Sequence, residues 1–249
     1  MLGTEPGSSP NPAQRIAHRG GGSLAPENTL AAFRAGLDAG LTAFECDVKL
    51  SADGVAFLLH DDWLDRTTTA SGRASWKPWT QLARVDAGRK FGARFSGERI
   101  PSLADLAGLV AGHDLWLNLE LKPDTDASAA RQADWGLRIA RQAVRLWAGS
   151  PQPPCLSSFS IPALQGAQQA APGLVRAWLC ERLPARWREV AQALDLAALH
   201  LHASQCTPAL IAEVQAQGLQ LRAYTVDDPG EVARLLAAGV GVFTDALAA

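Results

Sequence analysis

The chain has 249 residues, with 23 Lys and Arg against 25 Asp and Glu and a formal net charge of −2. That length can bury a full core, and the near-balance of charge leaves no basic excess to suggest nucleic acid or an anionic membrane as partner. No apolar run reaches the roughly 18 residues that span a bilayer, and Cys46, Cys155, Cys180 and Cys206 form no C-x-x-C pair. They read as reduced core thiols rather than a zinc site or redox couple, which points to a soluble, cytoplasmic protein with no nucleic-acid partner and no stable membrane insertion. No feature of the sequence speaks to oligomeric state.

Residues 1–14, rich in Gly, Pro and Ser, lack the basic-then-apolar order of a signal peptide and read as a disordered leader. From Arg15 onward short apolar runs alternate with amphipathic stretches, the rhythm of a parallel α/β fold. The strand-like runs are Arg15–His18, Thr42–Leu50, Val55–His60, Leu115–Leu121, Pro154–Phe159, Leu174–Cys180, Ala197–Ala203, Gln220–Val226 and Val240–Asp245. After the first run, Leu30, Phe33 and Leu37 recur at helical spacing, with Asn28 as the expected N-cap and Gly40 as the stop; Gly218 and Gly239 close two later helices.

Only Ser51–Gly54 separates the second run from the third. Parallel neighbours need a crossover of about a dozen residues, so this pair must be an antiparallel hairpin turning at Asp53-Gly54. Eight parallel strands then remain, the number of a (β/α)8 TIM-type barrel whose second strand runs on into a protruding ribbon. The stretch from about 62 to 99 breaks the rhythm with Trp63, Trp76, Trp79, Phe91 and Phe95 among glycines and charges. It is expected to be a small insertion folded back over one face, with residues 15–249 forming a single catalytic barrel domain. Pro101-Ser102-Leu103 restarts a helix that ends near Gly112.

Within these runs lie polar residues that a core would reject. Glu45 and Asp47 are two apart, so both point to one face while Phe44, Cys46 and Val48 point to the other. Unpaired inward carboxylates are costly; a divalent cation removes the penalty, and oxygen ligands suit magnesium, calcium or manganese. A solvent-facing ribbon is the alternative, since Lys49 continues the same face. A two-residue Asp53-Gly54 turn makes facing residue numbers sum to about 107 and sets His60 opposite Asp47; a four-residue loop sets it near Glu45. Asn118, Glu120 and Lys122 alternate on a later strand, offering a third acid and a cation. His18 and His60 end strands and are followed by Arg19 and Asp61, at the strand C-termini where barrel sites lie. His113, His200 and His202 are expected to be packed. Arg19 can grip a phosphate through two hydrogen bonds, Gly20-Gly21-Gly22 lets backbone approach a ligand, and Glu27-Asn28-Thr29 caps the next helix.

These residues in this order resemble the glycerophosphodiester phosphodiesterase family. The resemblance runs through His18-Arg19-Gly20, Ala25-Pro26-Glu27-Asn28-Thr29, Glu45-Cys46-Asp47-Val48, Asp53-Gly54, His60-Asp61 and Leu64-Asp65-Arg66-Thr67-Thr68. It continues through Ile100-Pro101-Ser102-Leu103, Leu119-Glu120-Leu121-Lys122, Ser158-Phe159, Tyr224-Thr225-Val226 and Thr244-Asp245. It implies a barrel with a small inserted segment and metal-dependent hydrolysis of deacylated phospholipids to sn-glycerol 3-phosphate and an alcohol, through a cyclic phosphate. By motif position Glu45, Asp47 and Glu120 resemble the metal ligands, His18 and His60 the acid–base pair, and Arg19 and Lys122 the phosphate contacts. The family usually shows Trp where this chain has Tyr224, so an aromatic wall for glycerol survives with a different shape and polarity. Two other readings are a phospholipase-type phosphodiesterase acting on an intact lipid, which needs an exposed apolar or basic membrane-facing surface, and a non-catalytic phosphodiester-binding protein.

Overall fold

The computed structural model describes residues 14–247. The leader expected over 1–14 lies outside the described residues except for Gln14, whose carbonyl accepts from the Val242 amide at 2.9 Å. Nine strands form one sheet: β1 (Arg15–Ala17), β2 (Ala43–Leu50), β3 (Ala56–Leu58), β4 (Trp116–Leu121), β5 (Cys155–Ser158), β6 (Arg176–Cys180), β7 (Ala198–His202), β8 (Gln220–Tyr224) and β9 (Gly241–Thr244). All pairs are parallel except β2 with β3, and β1 pairs with both β9 and β2, which closes eight strands into a barrel and leaves β3 as the ribbon. This is the (β/α)8 architecture that the alternation of runs predicts.

The helices are α1 (Leu30–Asp38), α2 (Trp79–Leu82), α3 (Leu103–Val110), α4 (Ala129–Leu146), α5 (Ile161–Ala170), α6 (Trp187–Ala193), α7 (Pro208–Gln215) and α8 (Pro229–Ala237). Apart from the single turn α2, they follow barrel strands and bury one face each. The Ser102 hydroxyl accepts from the Asp105 amide while the Asp105 carboxylate accepts from the Ser102 amide, a reciprocal cap that starts α3. Asn28 is not the cap of α1. Thr29 is, its hydroxyl accepting from the Ala32 amide, while Asn28 sits at φ +57° just outside.

Inside the barrel Ile16, Ala43, Trp116, Cys155, Ala198 and Phe243 pack a floor. One step up β2 and β4 the inward positions become Glu45, Asp47, Asn118 and Glu120, all buried. Phe44, Cys46 and Val48 face the helices as the alternation requires.

The ribbon departs from expectation. Val48 faces Leu58 and Leu50 faces Ala56, so three residues, Ala52 to Gly54, make the turn, with Gly54 at φ +85°. Three-residue loops use a left-handed glycine in this way, and a one-residue slip moves every side chain to the other face. Phe57 and Leu59 therefore face a separate small core built with Leu64, Ala74, Leu82 and Ile100. That core carries the segment between β3 and α3. The face of Glu45 and Asp47 continues to Lys49, which is fully buried rather than solvent-facing. Its Nζ donates to Asp62 Oδ1 at 2.6 Å and to the Lys122 carbonyl at 3.2 Å, pinning this segment to the loop after β4.

Candidate active site

The acidic layer opens into a cavity of about 160 Å³ lined by His18, Arg19, Glu45, Asp47, His60, Glu120, Lys122, Phe159 and Tyr224 among others. Parallel register does the gathering. Asp47 pairs with Glu120 and Glu45 with Asn118 across β2 and β4, so inward side chains on the two strands stand side by side. One oxygen from each of Glu45, Asp47 and Glu120 lies within 4.8 Å of the others.

Each carboxylate has a distinct environment. Burial and the neighbouring Asp47 charge push Glu45 up to about 8, although its Oε2 accepts from the Arg19 amide at 2.9 Å. Its Oε1 is buried without a hydrogen-bond partner. Asp47 moves the opposite way: burial works against its charge, but Lys122, His60, Arg19 and Asn28 outweigh it and hold the carboxyl well below the usual range. Burial raises Glu120, and Lys122 partly offsets this by donating to Glu120 Oε1 at 2.8 Å. The same ammonium lies 3.2 Å from Asp47 Oδ1. Three hard oxygen donors, one of them orphaned, and two acids held above their ordinary pKa fit a divalent cation of the magnesium, calcium or manganese class.

His18 follows β1 and His60 follows the ribbon. His18 Nδ1 pairs with Asp245 Oδ1 at 2.9 Å, and its Nε2 lies 4.0 Å from Glu45. Burial lowers the His18 pKa, but Asp245 and Glu45 outweigh it and leave it raised. His60 Nδ1 pairs with Asp61 Oδ1 at 2.6 Å. The facing of His60 with Asp47 does not form, since the actual ladder would turn residue 60 to the outer face with Leu58. The histidine lines the cavity because the ladder ends first, with the Leu59 amide on the Asp47 carbonyl at 3.1 Å, and the chain leaves the ribbon.

Several functional neighbours escaped the sequence reading. The Asn28 amide group donates to Asp47 Oδ2 at 2.8 Å and its Oδ1 accepts from the Asp47 backbone at 3.0 Å. Arg66, named in the sequence only as part of a family-like motif, forks onto Glu27 and Asp61, and Glu27 accepts from Arg19 at 2.9 Å. The two histidine-bearing loops are thus joined through Asp61, Arg66, Glu27 and Arg19. The signal available was their clustering in the family-like motifs, which contain Asp61, Glu27 and Asp245.

The glycine triplet allows close backbone packing. A Cβ at Gly21 would stand 2.6 Å from the Ala32 carbonyl, and one at Gly22 2.5 Å from that of Asp245. Arg19 takes φ +53°, a conformation rare for a side-chain-bearing residue, and so aims its amide at Glu45. Of the three histidines expected to be packed, only His200 is buried; His113 and His202 are exposed. His202 lies edge-on to Tyr224 at 6.0 Å, and Phe159 meets the same ring edge-on at 5.7 Å.

The geometry agrees with the comparisons. The model of the glycerophosphoryl diester phosphodiesterase family matches residues 18–249. A glycerophosphodiester phosphodiesterase of Caldanaerobacter subterraneus is 31% identical over 241 residues, covering 92% of this chain and 93% of the relative. A solved phosphodiesterase of Oleispira antarctica, in complex with the product sn-glycerol-3-phosphate, superposes with a TM-score of 0.85 at 33% identity, covering 94% of this chain and 93% of its own. The glycerophosphodiester phosphodiesterase of Agrobacterium tumefaciens superposes with a TM-score of 0.75 at 27% identity, covering 94% and 98%. The chain, an enzyme of the phosphoric diester hydrolase class, belongs to the glycerophosphoryl diester phosphodiesterase family.

Proposed function

We propose that the protein hydrolyses glycerophosphodiesters to sn-glycerol 3-phosphate and an alcohol, using a divalent cation held by Glu45, Asp47 and Glu120 and acid–base catalysis by His18 and His60. The observation that carries this reading is the three-carboxylate cluster lying in one cavity with both histidines and two cations. The cation, when bound, stabilises charge developing on the phosphoryl and glycerol oxygens. Arg19 and Lys122 add fixed positive charge for the phosphate. Tyr224 and Phe159 wall the glycerol, leaving the alcohol to vary.

In the first step one histidine takes the proton of the glycerol 2-hydroxyl as that oxygen bonds to phosphorus. The other histidine delivers a proton to the alcohol oxygen as its bond to phosphorus breaks. A cyclic phosphate results. The roles then reverse: water loses a proton to the second histidine and attacks, and the first returns its proton to the glycerol oxygen. Asp245 and Asp61 hold the two imidazoles in place. We place this reaction in the cytoplasm, a setting supported by four unpaired, buried cysteines.

The test is release of glycerol 3-phosphate from glycerophosphocholine and glycerophosphoethanolamine with magnesium, calcium, manganese or a chelator. Release that requires a divalent ion is the expected result. Release undiminished by chelation removes the carboxylate site, and full activity of His18→Ala or His60→Ala removes the acid–base pair.

A further inference from the structure

Overall near-neutrality hides a local surface of different character. From Arg89 to Phe95 the chain reads Arg-Lys-Phe-Gly-Ala-Arg-Phe, on short turns between β3 and α3. Arg89, Lys90 and Arg94 are exposed, and among the described residues none of the three has a carboxylate partner. Lys90 Nζ donates to the Asp65 carbonyl, and Arg94 lies 4.7 Å over the Phe95 ring with one Nη 3.5 Å from the Leu24 carbonyl. The Asp86 carboxylate nearby is spent on the backbone amides of Gly88, Arg89 and Gly97. By contrast Arg66 and Arg73, in the same segment, are both neutralised by acids.

The segment between β3 and α3 also carries exposed aromatics. Among the described residues the exposed large aromatics are Trp63, Trp76, Phe91 and Phe159, at 53%, 68%, 46% and 43%. Three come from the segment between β3 and α3; Phe159 directly follows β5 and walls the catalytic cavity. The Arg73 guanidinium lies 5.9 and 5.4 Å from the ring centres of Trp63 and Trp76. Lys90 and Phe91 line a second cavity of about 330 Å³ that shares Arg19 with the catalytic one. Lys90 and Phe91 therefore rim the approach to the site.

Aromatic rings beside unneutralised Lys and Arg are the composition that seats a protein in the headgroup layer, where rings take the apolar boundary and cations take the phosphates. We propose that this rim docks the enzyme peripherally on an anionic phospholipid surface, with the catalytic mouth at the membrane. Charge complementarity selects the occupant: unpaired cations require a surface denser in phosphate than in ammonium. Among the described residues no helix is long and apolar enough to cross a membrane, and docking of this kind needs none.

The experiment is sedimentation of the full chain with vesicles of phosphatidylcholine alone, or with phosphatidylglycerol added, read beside tryptophan emission. Binding to the anionic vesicles only, with a blue shift that Trp63→Phe/Trp76→Phe removes, is the expected result. Each cation near such a surface strengthens binding about fivefold, so Arg89→Ala/Lys90→Ala/Arg94→Ala should weaken it about a hundredfold, as should raised salt in the wild type. Arg89→Lys/Arg94→Lys should bind as the wild type does, and Phe91→Ala should weaken binding without changing the preference for anionic vesicles. Hydrolysis of soluble glycerophosphocholine by the triple variant should stay near the wild-type rate, which separates lost docking from lost folding or lost catalysis. Equal binding to both vesicle types, no binding to either, or tighter binding to a DNA duplex with no response to Phe91→Ala would overturn the proposal.

Discussion

Asn28 shows how much one side chain can do at this site. It touches Asp47 twice, once at the carboxylate and once at the backbone, from a left-handed position that Asn tolerates better than most residues. Partners that orient a metal ligand are typically worth about 10–100-fold in metal affinity. Asn28→Ala should therefore raise the metal concentration for half-maximal activity by that factor, measured by metal titration of the rate. At the histidines, loss of general acid–base help costs about 10²–10⁴-fold. His18→Ala and His60→Ala should each lower kcat by that amount, with little change in the melting temperature, because both rings are partly exposed at the cavity.

Among the elements, the pairing of α4 with α5 rests on two glycines. A Cβ at Gly136 would collide with the Ala163 carbonyl, and one at Gly166 with the Ala133 carbonyl. Helix propensity favours Ala over Gly by about 1 kcal/mol, yet overpacking against backbone costs about 1–3 kcal/mol. Gly136→Ala should be net destabilising in urea unfolding, against the propensity rule. The junction of the ribbon with the loop after β4 depends on Lys49, which lies 2.6 Å from Asp62 and 3.6 Å from Asp124. Removing one partner of a buried pair costs about 3–5 kcal/mol, so Lys49→Ala should lower the urea midpoint strongly. Burial opposes the Asp62 charge, but the Lys49 and Thr125 bonds outweigh it and hold the carboxyl well below its ordinary value. A depressed folded pKa means the unfolded chain binds the proton first. The stability from Asp62 is complete above its unfolded value and is lost as pH falls through the folded one. Asp62→Asn should flatten the acid limb of the stability curve below about pH 4, where an unfolded Asp begins to protonate.

For the whole molecule, the acidic layer is a cost of folding that a cation held by the proposed ligands would remove. Burial and the neighbouring Asp47 charge push Glu45 up to about 8, so its carboxylate opposes the folded state at neutral pH when no cation is held. A ligand at about 100 times its dissociation constant stabilises by about 2.7 kcal/mol. For a domain of this size that is a rise in melting temperature of roughly 5–10 °C. Magnesium or calcium should produce such a rise in the wild type and none in Asp47→Asn, read by thermal unfolding with and without chelator.

The strand count, the hairpin and the inward faces of β2 and β4 were legible in the sequence, because a period of two and the shortest allowed crossover are local constraints. So were all the cavity-lining residues named at the outset. What the sequence could not decide was anything that depends on which neighbour lies across a gap. The ribbon register turned on one residue of loop length, so His60 reached the cavity by a route the pattern did not contain. Asn28 looked like a helix cap because caps are local, whereas its real partner is 19 residues away. Lys49 looked solvent-facing because Lys usually is; its burial depends on Asp62 and Asp124, brought in from two other segments. Near-neutral net charge concealed the cationic segment around Lys90 and Phe91, since a sum over the chain carries no position. Periodicity and motif order by themselves determined the barrel and the polar groups that line its cavity. Tertiary structure alone decided their pairings, because hydrogen bonds and ion pairs act over about 3–4 Å, a distance set by the closed barrel and not by separation along the chain.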